Sequence, residues 1–153
     1  QMYKGEADWT LIKAVKDNPR MNIPVFGNGD IDTPEKAKLM RDEFGLDGAM
    51  IGRGSIGNPW IFNEIKHYLK TGEYLARPTM EQRVEACKQH LKHSIEWKGG
   101  ILGIAEMKRH YTNYFKGIAD FKSYRIKMVT SESEIEIQEI LDEVALKFKG
   151  YEF

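Results

Sequence analysis

One cysteine in 153 residues leaves Cys87 without a partner for an internal disulfide and rules out a cysteine-built metal site. That scarcity also fits a reducing compartment. No apolar run approaches the roughly 18 residues that cross a bilayer, and no basic-then-apolar leader opens the sequence, so the expectation is a soluble, cytoplasmic chain without a membrane partner. Net charge is absent too, since 23 basic residues balance 23 acidic ones. No global field draws in nucleic acid, and an RNA partner would need a local basic face. His67, His90 and His93 have no acidic or cysteine partners at metal-ligand spacing, so no metal is expected.

What the chain has in quantity is glycine at particular places. Seven of its 14 glycines lie between Pro24 and Phe62, on both sides of one helical pattern. The opening reads as a polar loop that passes at once into a helix over 6–17, with Ala7, Leu11, Ile12 and Val15 in register, as if part of something longer. The apolar run Ile23 to Phe26 then predicts a short buried strand, and Gly48 to Ile51 a second. Between them, Thr33-Pro34 starts a helix that Gly45 should stop. Asn58-Pro59 opens another, ending at Gly72. The order helix, strand, helix, strand, helix implies parallel strands with right-handed crossovers.

Beyond Arg77-Pro78 no strand pattern remains. Thr79 and Gln82 form a capping box for a helix reaching about Lys98, and Gly99-Gly100 breaks it. Further helices are expected over Leu102 to Phe115 and roughly 120 to 129, and a last one that Ser133 with Glu136 caps. The fold class is therefore α/β followed by all-α, with 77–153 reading as a four-helix bundle.

Two glycine clusters, Gly27-Asn28-Gly29-Asp30 and Gly52-Arg53-Gly54, each follow an expected strand and precede a helix. At such junctions glycine admits a close ligand, and successive amide hydrogens suit an anion. Arg53 adds a fork that matches phosphate oxygens. In (β/α)₈ barrels the loops after strands seven and eight often hold a phosphate in this way. Turn and cap roles for the same glycines are the competing reading.

Charge is divided along the second half. From Lys108 to Lys127 there are six lysines and arginines against one acid, and from Glu132 to Glu152 seven acids against two lysines. The basic stretch interleaves Tyr111, Tyr114, Phe115, Phe121 and Tyr124, a composition suited to RNA. A solvated helix face over a core stripe would show the same pattern, and composition leaves the two open.

"IPVFGNGDIDTPEKA", "DGAMIGRGSIGNPWIF" and "EMKRHYTNYFKGI", in this order and spacing, resemble the flavin-dependent tRNA-dihydrouridine synthases, especially their bacterial B-type branch. "QMYKGEADW" is similar to the segment after that family's sixth barrel strand. The resemblance implies the last part of an FMN-binding (β/α)₈ barrel over 1–76 and a helical tRNA-binding domain over 77–153. It implies reduction of uridine to 5,6-dihydrouridine in tRNA, with NADPH as reductant. It places Asn28, Gly29, Asp30, Gly52, Arg53 and Gly54 at the phosphate end of FMN. It also implies that Lys108, Arg109, His110 and Lys116 are the candidates to face tRNA, with Lys122 and Arg125 secondary; Arg109 and Lys116, seven apart, are expected on one helix face. Asn113 stands where relatives usually carry tryptophan. The family's catalytic cysteine belongs to the barrel half that would precede Gln1, and Cys87, on a helix, reads as a core residue. No catalytic residue is therefore expected here, and the chain alone should be inactive. Its two-stranded piece of sheet has open edges that invite dimerisation. Another FMN-barrel oxidoreductase, or a tRNA-binding helical module without catalysis, are the rival readings.

Overall fold

The computed structural model describes residues 5–153, so the first four residues of the opening loop lie outside the described residues. The chain divides into two compact units, Gln1–Leu75 and Ala76–Phe153.

In the first unit, helix α1 (Thr10–Lys16) is followed by strand β1 (Phe26–Asn28), helix α2 (Pro34–Phe44), strand β2 (Gly48–Met50), a 3₁₀ turn (Arg53–Ser55) and helix α3 (Ile61–Thr71). Helix α1 begins later than the expected residue 6. The Asp8 carboxylate accepts from the Thr10 amide at 3.0 Å and the Thr10 hydroxyl at 2.6 Å, which closes a turn just before the helix. Helix α2 follows its sequence signals: the Thr33 hydroxyl accepts from the Lys36 amide, Pro34 stands at the first position, and Gly45 caps at φ 64°. Helix α3 starts at Ile61, with Asn58–Trp60 in the preceding turn, where the Ile61 amide donates to Asn58 O at 3.3 Å.

The strands are parallel, with Phe26 opposite Gly48, Gly27 opposite Ala49 and Asn28 opposite Met50. The expectation of two buried strands needs correction. Strand β1 starts only at Phe26, because Asp47 takes the lead-in: its carboxylate accepts the Val25 amide at 2.7 Å and its own amide donates to Val25 O at 3.1 Å. Phe26 is 67% exposed and Met50 61%, on a sheet face that they share and that the described residues of this unit leave open. The other face is covered: Trp9, Ile31, Ala37, Leu46, Ile61 and Ile65 form the core. Gly27 is buried against it, and a Cβ there would stand 2.3 Å from both Leu46 and Trp9.

The second unit is entirely helical: α4 (Met80–Lys98), α5 (Gly100–Met107), α6 (Tyr111–Tyr114), α7 (Lys122–Thr130) and α8 (Glu134–Lys147). The Thr79–Gln82 box is complete, each side chain bonding the other's backbone amide. Helix α4 packs on α5, α6 and α8, and α7 on α6 and α8. Val84, Cys87, Leu91, Met107, Tyr111, Met128 and Leu141 lie at the centre. Gly103 sets the α4–α5 approach. A Cβ there would meet the Ile95 backbone and Ser94 O at 2.7 Å, and the Ser94 hydroxyl donates to Gly103 O at 3.1 Å.

One expectation fails here. The single helix expected over Leu102 to Phe115 is two, broken at 108–110, where the His110 amide donates three residues back to Met107 O at 2.8 Å. Arg109 and Lys116 therefore share no continuous helix face. At α8 the expected cap is present, the Ser133 hydroxyl accepting from the Glu136 amide at 3.4 Å, while the Glu136 carboxylate accepts from the Ser131 hydroxyl at 2.5 Å.

Candidate functional site

The first candidate site is built by the two loops that leave β1 and β2. Parallel pairing sets the strand ends side by side, so Asn28-Gly29-Asp30 and Gly52-Arg53-Gly54 emerge together. The loops touch: a Cβ on Gly54 would stand 2.6 Å from Ile31 O and 3.1 Å from the Asp32 Cα. Gly29 has φ 144°, and a Cβ there would press on the Ala7 methyl at 2.5 Å. Gly52 differs, because a Cβ there would meet nothing within 4 Å. Gly27, Gly29 and Gly54 are thus required by close packing of the protein on itself. Gly52 alone borders open space.

Asp30 joins the loops. Its backbone is left-handed, at φ 50°. One carboxylate oxygen accepts the Ala7 amide at 2.7 Å and the other accepts Nη2–H of Arg53 at 2.9 Å. The Arg53 side chain remains mostly exposed beside it. Lys36, in the first turn of α2, pairs with Asp32 at 2.7 Å. That hydrogen bond raises its ammonium pKa, and the charges of Asp32, Asp30 and Glu6 add to the shift while desolvation opposes it. Sequence reasoning passed over two parts of this site. One is Lys36, whose signal was its place three residues after the Thr33 cap; the other is Trp9, which fills the space the glycines leave.

The second candidate site lies in the helical unit. Thr112, Phe115, Lys116, Gly117, Ile118, Asp120, Phe121, Lys122 and Arg125 line an open groove of about 400 Å³. Lys116, Lys122 and Arg125 are exposed on it and form no ion pair among the described residues. The break after α5 separates the other expected contacts from these. Arg109 pairs with Glu106 at 3.4 Å, and the His110 ring lies against His90 with centroids 4.8 Å apart. Lys127 is also engaged, with Glu143 at 3.5 Å.

The aromatics of the basic stretch belong to the core stripe. Tyr111, Tyr114, Phe115 and Phe121 are buried, so none is a platform for a base. Tyr124 is half-buried between Phe121 and Phe148, with the Lys127 and Lys147 ammonium groups 5.5 and 5.0 Å from its ring centre. What this surface offers an anionic polymer is charge over an apolar floor. Cys87 is fully buried, and burial pushes its thiol pKa up, so it is no nucleophile. Among the described residues no helix is long and apolar enough to cross a membrane.

Residues 1–149 match the profile of the family described as dihydrouridine synthase (Dus). The chain is 46% identical over 109 residues to tRNA-dihydrouridine synthase B of Shewanella oneidensis, covering 71% of this chain and 33% of that protein. It is 38% identical over 126 residues to tRNA-dihydrouridine synthase B of Pseudomonas putida, covering 82% and 37% respectively. To a probable tRNA-dihydrouridine synthase of Rickettsia prowazekii it is 32% identical over 143 residues, covering 94% of this chain and 43% of the relative. The chain thus spans between a third and somewhat over two-fifths of the length of these relatives.

Proposed function

The chain belongs to the dihydrouridine synthase family, and from that premise we propose that it is the C-terminal part of a cytoplasmic enzyme reducing uridine to 5,6-dihydrouridine in tRNA. In this reading Gln1–Leu75 closes an FMN-binding (β/α)₈ barrel, and the helical unit, with five helices where four were expected, binds tRNA. The observation that carries it is the pair of glycine-bearing loops, set in contact by adjacent parallel strands, with Arg53 between them.

The residues present fit the phosphate end of FMN. Gly52 borders open space, where backbone can approach a ligand, and Arg53 supplies a guanidinium that suits oxyanions. Asn28, Gly29, Gly52, Arg53 and Gly54 would hold it, with Asp30 beside them in the same pair of loops. FMN, recharged by NADPH, supplies hydride for the C5–C6 double bond of uridine. The part played by this chain is grip and orientation. Cys87 is not its proton donor, since it is enclosed in a helical core.

Lys116, Lys122 and Arg125 would take tRNA phosphates, with Lys108, Arg109 and His110 as outlying contacts. Those three cations on one groove, without an ion pair among the described residues, also favour a second reading, in which the isolated chain acts as a tRNA-binding module without catalysis. The uncovered face around Phe26 and Met50, and the open strand edges, would pair in the isolated chain with a second copy.

The test is direct. The purified chain with FMN, NADPH and unmodified tRNA should form no dihydrouridine, while a full-length protein containing it should. In the latter, Arg53→Ala should weaken FMN binding; normal FMN affinity would overturn the assignment of the phosphate site. Light scattering should show dimers of the isolated chain, and a monomer would refute the pairing.

A further inference from the structure

We infer that Asp30 is a positioning residue that aims Arg53, not a ligand of the cofactor; this rests on the phosphate-site reading above. A carboxylate has no proton to donate at neutral pH and would repel a phosphate placed against it. The geometry shows another use for it. The turn through Gly29 at φ 144° and Asp30 at φ 50° folds the side chain back toward its own protein. Both oxygens are then occupied, one by the Ala7 amide at 2.7 Å and one by Arg53 at 2.9 Å.

The arrangement ties three segments at one carboxylate: the lead-in to α1, the loop after β1 and the loop after β2. Arginine is long and its guanidinium planar, so a bond to one edge fixes the plane in which the rest of the fork lies. The Ala7 amide anchors the carboxylate at 2.7 Å, and the close approach of Ala7 to Gly29, where an added Cβ would stand 2.5 Å from the Ala7 methyl, keeps the two segments together. Asp at this position also tolerates the left-handed backbone better than most residues. The carboxylate thus costs the site some negative charge and returns a pre-oriented donor.

Two readouts test this. In the full chain, side-chain ¹⁵N relaxation of Arg53 should report an ordered guanidinium that becomes mobile in Asp30→Ala and is partly restored in Asp30→Asn, which keeps an acceptor. Unchanged order in Asp30→Ala overturns the inference. In the full-length holoenzyme, titration with FMN and with riboflavin, which lacks the phosphate, isolates the phosphate grip. Arg53→Ala should cut the preference for FMN about 10- to 100-fold, and Asp30→Ala about two- to fivefold. Asp30→Ala added to Arg53→Ala should cut it no further. Tighter FMN binding in Asp30→Ala, or additive losses, would also overturn the role. A wild-type enzyme that binds FMN and riboflavin alike would instead sink the phosphate-site reading, with the Arg53 relaxation alone then deciding what Asp30 does.

Discussion

Removing the three groove cations should change how tRNA binding responds to salt more than how the protein folds. Lys116, Lys122 and Arg125 are exposed around one groove and carry no ion pair among the described residues, so their charge is open to a polyanion. Each phosphate neutralised releases counterions and contributes a log–log salt slope of about 0.7 to 0.9. Three contacts therefore account for a slope of about 2 to 3, or about 20- to 40-fold of the weakening between 50 and 200 mM salt. In the triple variant Lys116→Ala, Lys122→Ala, Arg125→Ala, filter binding of tRNA across that range should show the slope reduced by this amount. Lys127→Ala is the control. It removes the same charge from the same stretch, but Lys127 is held by Glu143 at 3.5 Å, and its slope should move by less than one contact's worth. All four side chains are exposed, so far-UV circular dichroism should not change. Parallel salt plots for wild type and triple variant would refute the reasoning, as would an equal effect from Lys127→Ala.

Gly103→Ala should destabilise the helical unit by about 1–3 kcal/mol in denaturant unfolding, because the new methyl meets Ile95 and Ser94 backbone at 2.7 Å and backbone cannot rotate away. Tyr111→Phe should be neutral or stabilising by up to about 1 kcal/mol, since the Tyr111 hydroxyl is buried without a hydrogen-bond partner; a large loss of melting temperature would show that it has one. Stability should also fall with pH below about 6.5. Burial lowers the pKa of His90 and of His110, with His110 and His93 adding to the effect at His90 and Arg109 at His110, while Glu106 opposes both. The unfolded chain then binds the protons more tightly, so the neutral rings stabilise the fold above the ordinary histidine pKa and this is lost on acidification. His90 also meets the Tyr114 hydroxyl at 3.2 Å, and His90→Gln should flatten the pH dependence of the melting temperature between pH 7 and 5.

Much of the local architecture was legible from residues alone, because caps are local chemistry. Thr33-Pro34, Gly45, Thr79 with Gln82, and Gly72 each stop or start a helix where their side chains or left-handed backbone dictate. The second strand was legible as an apolar run between turn signals, the first only at its Phe26 end, and the exposure of neither was. Exposure of Phe26 and Met50 depends on what else covers the sheet, and no property of a tetrapeptide reports that. The break at 108–110 was likewise hidden, since Ile104, Met107, Tyr111 and Tyr114 keep helical spacing across a tightened turn that rotates the chain only slightly.

Sequence by itself determined the family, the capped helices and the two amide-rich corners, since these rest on residue identity and on spacings of a few residues. Only tertiary structure decided which cations stand together and what each carboxylate does. Lys116, Lys122 and Arg125 meet on one groove while Arg109 is drawn to Glu106, and the Asp30 carboxylate accepts from Arg53. Electrostatic partnership falls off over a few ångströms, and distances of that kind between residues 23 apart are set by packing.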